Sequence, residues 1–161
     1  MHLPPRCCKI GLVIYMKVAV IHGPNLNFTG IREPHVYGTQ AFEELCATIK
    51  AATPQDVHLT QFQSNHEGGI IDFIQQCHHE GFGGIVLNAG AYTHYSHAIA
   101  DAVAGVAVPT IEVHLSNTAS REGFRHTSVI ARHCIGTIAG FGAHSYILAI
   151  NHLIYLGGVQ K

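Results

Sequence analysis

Residues 16–25 read MKVAVIHGPN. Lys17 to Ile21 are a short apolar run, the pattern of a buried strand, and the run stops at once in Gly23-Pro24-Asn25. Proline cannot donate to a ladder and glycine permits a turn, so the chain leaves its strand here. Everything else about the fold is read outward from this strand and the loop that ends it.

The loop runs from His22 to Gly38, rich in Gly, Pro and Asn. Thr39 can then cap a helix in which Phe42, Leu45, Ile49 and Ala52 recur at helical spacing, closed by Thr53-Pro54. Val57 to Gln63 is a second strand. Ser64 and Glu67 have capping-box spacing ahead of a helix with Ile70, Ile74 and Cys77 on one face. After a turn at Gly81–Gly84, Ile85-Val86-Leu87 is a third strand ending at Asn88, and a helix is expected over Ser96–Val106. Thr110–His114 is the fourth strand, His133–Ala139 the fifth, and Ala143–Tyr155 the closing helix. Strands and helices alternate, which argues for a parallel sheet covered on both faces. The glycine fingerprint of a dinucleotide-binding loop is absent after the first strand. The expectation is therefore α/β: a flavodoxin-like three-layer sandwich with a five-stranded parallel sheet in the order 2-1-3-4-5. In that order strands 1 and 3 are neighbours whose chains depart in opposite directions, opening a crevice beyond their carboxyl ends.

The 161 residues suit one domain. Hydrophobic residues make up 47% and charged residues only 12%, about half the usual share. That favours surface covered in a homo-oligomer. Net charge is −1 with no basic run, which argues against a nucleic-acid partner. No apolar run is long enough to cross a membrane. The five cysteines have no zinc-knuckle spacing and read as reduced thiols of a cytoplasmic protein. Residues 1–15, MHLPPRCCKIGLVIY, lack the pattern of a signal peptide. They are expected to be a poorly ordered extension, with Met16 as the natural start and 16–161 as a single catalytic domain.

The residues following the central strands test the crevice idea. After the first come HGPNLN and REPHVYG; after the third, NAGAYTH; after the fourth, His114, Leu115, Ser116 and a loop with Arg121 and Arg125. Taken singly, each asparagine could be a turn former, His114 a buried structural histidine, and each arginine a solvated loop charge. Together they converge on one crevice. Carboxylates are scarce there, which suits a small polyhydroxylated or carboxylated ligand better than a metal. A metal centre on His94, His97 and His114 would lack a third ligand cluster. At the same place a receiver domain needs acidic residues and a flavodoxin a hydroxyl-rich phosphate loop, and His22-Gly23-Pro24-Asn25 supplies neither.

From Met16 to about Tyr155 the chain resembles type II 3-dehydroquinate dehydratase. HGPNLN (22–27), REPHVYG (32–38), QSNHEG (63–68), LNAGAYTH (87–94), IEVHLSN (111–117) and REGFRHTS (121–128) carry the resemblance in order and spacing. His22 stands where some members have asparagine, and Ala100 where an arginine often precedes the aspartate. The resemblance implies loss of water from 3-dehydroquinate by anti elimination through an enolate, without cofactor or metal. It implies a dodecamer built as a tetramer of trimers, and a place in aromatic amino acid biosynthesis or in quinate breakdown.

It also implies roles. Tyr37 is the base, Arg32 the cation that favours its phenolate, and His114 the acid that protonates the leaving hydroxyl. Asn25 would hold the water that stabilises the enolate oxygen. Asn88, His94 and Arg125 would bind substrate hydroxyls, and the N–H groups of Leu115 and Ser116 the carboxylate. Asp101 would reach the site of a trimer neighbour. A free tyrosine has a pKa near 10, so about a thousandth is ionised at pH 7; closing that gap takes roughly 4 kcal/mol, which a nearby guanidinium in a water-poor site can supply. Glu112, two residues before His114 on one strand, faces the same side and can orient the imidazole. Residues 26–38 would act as a lid that brings Tyr37 to the substrate.

Overall fold

The computed structural model describes residues 16–30 and 40–159. Five strands, β1 (Met16–His22), β2 (Val57–Gln63), β3 (Gly84–Asn88), β4 (Thr110–His114) and β5 (Gly136–Ala139), form one sheet. Among the described residues four helices connect or close it: α1 (Phe42–Ala52), α2 (Glu67–His79), α3 (His97–Ala104) and α4 (His144–Val159). The order is β2-β1-β3-β4-β5 and every pairing is parallel. This is the expected flavodoxin-like three-layer sandwich.

The first strand shows why its residues run apolar without alternation. Val18 and Val20 face one core, with Leu45 and Ile49 of α1 and Tyr146, Ile150 and Leu153 of α4. Ala19 and Ile21 face the other, with Ile70, Ile74 and Cys77 of α2 and Ile99 and Val103 of α3. A strand covered on both faces must be apolar on both. Burying each such Val or Ile side chain contributes about 1.5–3 kcal/mol. Among the described residues no helix is long and apolar enough to cross a membrane.

Several boundaries differ from expectation. The fifth strand begins at Gly136, not His133, because Ala131–His133 is a tight turn. The Ser128 hydroxyl accepts the N–H groups of Ile130 (3.2 Å) and Ala131 (2.9 Å) and fixes that turn. The Ser64–Glu67 capping box does not form. His66 is the residue before α2, Ser64 Oγ accepts from His66 N at 3.0 Å, and Glu67 is engaged by Ser96 instead. Helix α3 stops at Ala104, where the Gly105 N–H closes on the Asp101 carbonyl at 2.9 Å. Its start is as read: Ser96 Oγ accepts from Ile99 N at 3.0 Å. The residue before α1 is Ala41, not the expected Thr39, which lies outside the described residues; the closing helix runs on to Val159, past the expected Tyr155.

Candidate active site

A pocket opens beyond the carboxyl ends of β1, β3 and β4. Asn25, Asn88, His94, His114, Leu115, Ser116 and Arg125 all line it, together with Arg121 and Thr29. The backbones of the first two loops touch: Gly23 N donates to Asn88 O at 2.7 Å. A Cβ on Gly23 would stand 2.6 Å from the Ala89 carbonyl carbon, so only glycine lets the loops meet.

The β4 wall carries a charged assembly. His114 Nε2 donates to Glu112 Oε1 at 2.9 Å, and the Ser128 hydroxyl donates to Glu112 Oε2 at 2.7 Å. Glu112 is 1% exposed, so a lone carboxylate there would be costly without those two partners. A carboxylate only accepts, so Nε2 carries the proton and Nδ1 is the nitrogen left for other work. The His94 ring lies nearly parallel to that of His114, at 6.5 Å. His94 Nδ1 donates to the Thr127 carbonyl at 2.8 Å.

Beyond His114 the backbone is fixed from behind. The Gly140 N–H reaches the His114 carbonyl at 3.3 Å, and the Gly142 N–H reaches the Leu115 carbonyl at 3.0 Å. In a trans peptide the N–H points opposite to the C=O. Each contact therefore aims the next N–H, of Leu115 and of Ser116, away from that supporting loop.

Under β1 and β3 lies a second assembly with no charge in it. Asn88 Nδ2 donates to the Tyr146 oxygen (2.8 Å), and the Tyr146 hydroxyl donates to His22 Nδ1 (3.4 Å). His22 Nε2 donates to Gln61 Oε1 (3.2 Å), and Gln61 Nε2 donates to the Cys46 carbonyl (2.9 Å). The carbonyl at the end only accepts, so every donor in the chain is fixed in direction. Burial lowers the His22 pKa to about 4, against the opposing pull of the Gln61 bond, and the ring is neutral. Burial raises the Tyr146 phenol well above its ordinary range. Asn88 Oδ1 accepts from Gly90 N at 3.2 Å, which settles which end of that amide is oxygen. Tyr146 is fully buried, and its hydroxyl holds a site residue.

Asn25 has φ 65 and is the one non-glycine with positive φ among the described residues. Its N–H donates to Asn65 Oδ1 at 2.9 Å. Arg125 Nε donates to Glu122 at 2.9 Å, and its guanidinium lies 4.6 Å over the Phe124 ring. Arg121, which the roles above omit, lies 3.3 Å from the same carboxylate and 3.5 Å from Ser116 Oγ. Glu122's own backbone N–H, and then Arg125, hold that carboxyl below its usual range. Two guanidiniums against one carboxylate leave the rim positive, which suits an anionic ligand.

Asp101 is outside this pocket. It is exposed on α3, beside a separate hollow lined by Ile71, Gln75 and Val106. Tyr37 and Arg32, the expected base and its cation, lie outside the described residues. Among the described residues no three His, Cys, Asp or Glu side chains gather where they could hold a metal ion.

Fold and pocket together define a flavodoxin-like α/β protein with an imidazole, amides and arginines at the mouth of its sheet. The family model for dehydroquinase class II matches residues 16–154. A 3-dehydroquinate dehydratase of Clostridium beijerinckii is 52% identical over 139 residues, covering 86% of this chain and 95% of the relative. The type II dehydroquinase structure from Butyrivibrio crossotus matches with a TM-score of 0.85 at 50% identity, covering 87% of this chain and 98% of that one. The one from Propionibacterium acnes matches at 0.83 and 38% identity, covering 88% and 99%. The chain belongs to the class II dehydroquinase family.

Proposed function

We propose that the protein is a hydro-lyase that removes water from 3-dehydroquinate to give 3-dehydroshikimate, in the pocket at the mouth of the sheet. The observation that carries this reading is the His114 ring, held by buried Glu112 at the edge of a pocket that Asn25, Asn88, His94, Arg121 and Arg125 also line.

In this reading Tyr37 takes the proton beside the ketone, with Arg32 favouring its phenolate. Asn25 holds the water that meets the enolate oxygen, and stabilisation of that developing charge lowers the barrier. His114 acts as the imidazolium: it hands its Nδ1 proton to the departing hydroxyl, which leaves as water, and keeps the Nε2 proton on Glu112, which fixes the ring. Leu115 and Ser116 N–H groups receive the carboxylate, and Asn88, His94 and Arg125 the hydroxyls. The segment 26–38 closes over the substrate and excludes water. None of these steps calls on a cofactor. The same reaction serves aromatic biosynthesis and quinate breakdown, and the roles are common to both.

We further propose a dodecamer, a tetramer of trimers, in the cytoplasm. The sparse charge supports covered surface, as do exposed Tyr95, Phe141 and Tyr155. Asp101, outside its own pocket, would serve a neighbour's. Light scattering should give about twelve times 17.4 kDa; a monomer would contradict the assembly.

The activity is tested by following the conjugated product in the ultraviolet, with 3-dehydroquinate and no added metal. Turnover is expected, persisting after exhaustive chelation. Tyr37→Phe should still bind substrate but lose turnover by about 10²–10⁴-fold. An inactive wild-type protein would sink the proposal.

A further inference from the structure

The segment 63–68, QSNHEG, contributes no residue to the pocket lining, yet its contacts run to the loops that do. We infer that Asn65 is a positioning residue for the reaction, setting Asn25 through that residue's backbone; this rests on the dehydration reading above.

Asn25 occupies the left-handed region, which non-glycine residues adopt at a cost unless their surroundings hold them there. The Asn25 carbonyl takes the Phe28 N–H at 3.1 Å within the same loop, and its N–H is held by one acceptor from outside that loop. Asn65 Oδ1 takes the Asn25 N–H at 2.9 Å and Gln63 Nε2 at 3.1 Å. The same Gln63 nitrogen lies 3.4 Å from both Gly23 O and Asn27 Oδ1, on either side of Asn25. The Asn65 carbonyl in turn accepts the Tyr92 hydroxyl at 3.0 Å, and Tyr92 sits in the turn between Asn88 and His94. Two residues on, Glu67 accepts from the Ser96 hydroxyl that caps α3, at 2.5 Å. The end of β2 thus ties the loops after β1 and β3 into one frame, and Asn65 is its junction.

Both groups bonded to Asn65 Oδ1 are donors. The position therefore needs an acceptor of this length, and an aspartate would keep both bonds where an alanine would lose them. If Asn65 acts through Asn25, its loss falls on stabilisation of the enolate and hence on kcat, with KM nearly unchanged.

The test uses the full chain and five proteins: wild type, Asn65→Ala, Asn65→Asp, Asn25→Gly, and Asn65→Ala combined with Asn25→Gly. Glycine at 25 accepts the backbone angle and deletes only the side chain. Asn65 is exposed, so its variants are expected to fold, which melting curves check. Asn65→Ala is expected to lower kcat about tenfold, the scale of one lost hydrogen bond. Asn65→Asp should restore most of it. In the Asn25→Gly background Asn65→Ala should cost less than about twofold more, because its target is gone. An unchanged kcat in Asn65→Ala, multiplicative losses in the double variant, or no rescue by Asn65→Asp overturns the inference alone. A wild type without dehydratase activity, or Asn25→Gly at full rate, overturns the reading of the site and the inference with it.

Discussion

Two buried polar assemblies meet under one pocket, and they are built on opposite plans. Glu112, His114 and Ser128 enclose a carboxylate and end in an imidazole with one nitrogen uncommitted. Asn88, Tyr146, His22 and Gln61 enclose no charge, and their donors run in one direction to a backbone carbonyl. The first plan suits a ring that exchanges a proton with substrate. The second suits an amide whose donor and acceptor must never change places. On the proposed reading, the same sheet supplies a proton-handling wall at β4 and a fixed binding wall at β1 and β3.

The contrast breaks most visibly at His114. His114→Asn should fold and bind ligand but lose about 10²–10⁴-fold in kcat; a loss confined to KM would place His114 with the binding wall. The neutral plan is tested by pH. His22 titrates near 4 in the fold and near 6.5 when unfolded, so between these values the unfolded chain binds the extra proton. Its contribution is complete above about pH 6.5 and is lost as pH falls towards 4, at most about 3 kcal/mol. Urea unfolding at pH 7 and pH 4.5 should show a smaller acid loss for His22→Asn, which keeps one donor and one acceptor, than for wild type. Equal losses would mean that His22 is not held neutral.

Smaller effects sharpen the difference. Glu112→Gln should reduce kcat by roughly tenfold to a hundredfold, the range for a hydrogen bond to a charged group, and a rise in KM alone would contradict its orienting role. Tyr146→Phe should do the reverse, raising KM about three- to tenfold with kcat held, because it frees the Asn88 amide and the His22 ring of the neutral assembly and leaves His114 and Glu112 untouched. A kcat loss in Tyr146→Phe equal to that of Glu112→Gln would erase the distinction between the two walls.

The sequence made the strands legible where both faces are buried, as at Val18–Ile21 and Ile85–Leu87, because an uninterrupted apolar run has few other uses. β5 was harder to bound. It is an edge strand whose first residues, Gly136 and Thr137, are exposed, so no apolar run marks its start. The pocket residues at strand ends were legible because chain order and strand order fix which loops meet. Contacts across long separations were not. Glu67 has the spacing of a capping partner for Ser64, but it bonds Ser96, 29 residues on. The hold of Asn65 on Asn25 spans 40 residues. Only the fold shows the Tyr146 hydroxyl against Asn88, 58 residues away in the chain.

The most direct test is a crystal structure with 3-dehydroshikimate bound. The account predicts its carboxylate on the N–H groups of Leu115 and Ser116, and His114 within about 3 Å of the water or hydroxyl over the carbon that loses oxygen. A product bound elsewhere, or one with its carboxylate turned towards Glu112 and its ring beyond reach of His114, would contradict it.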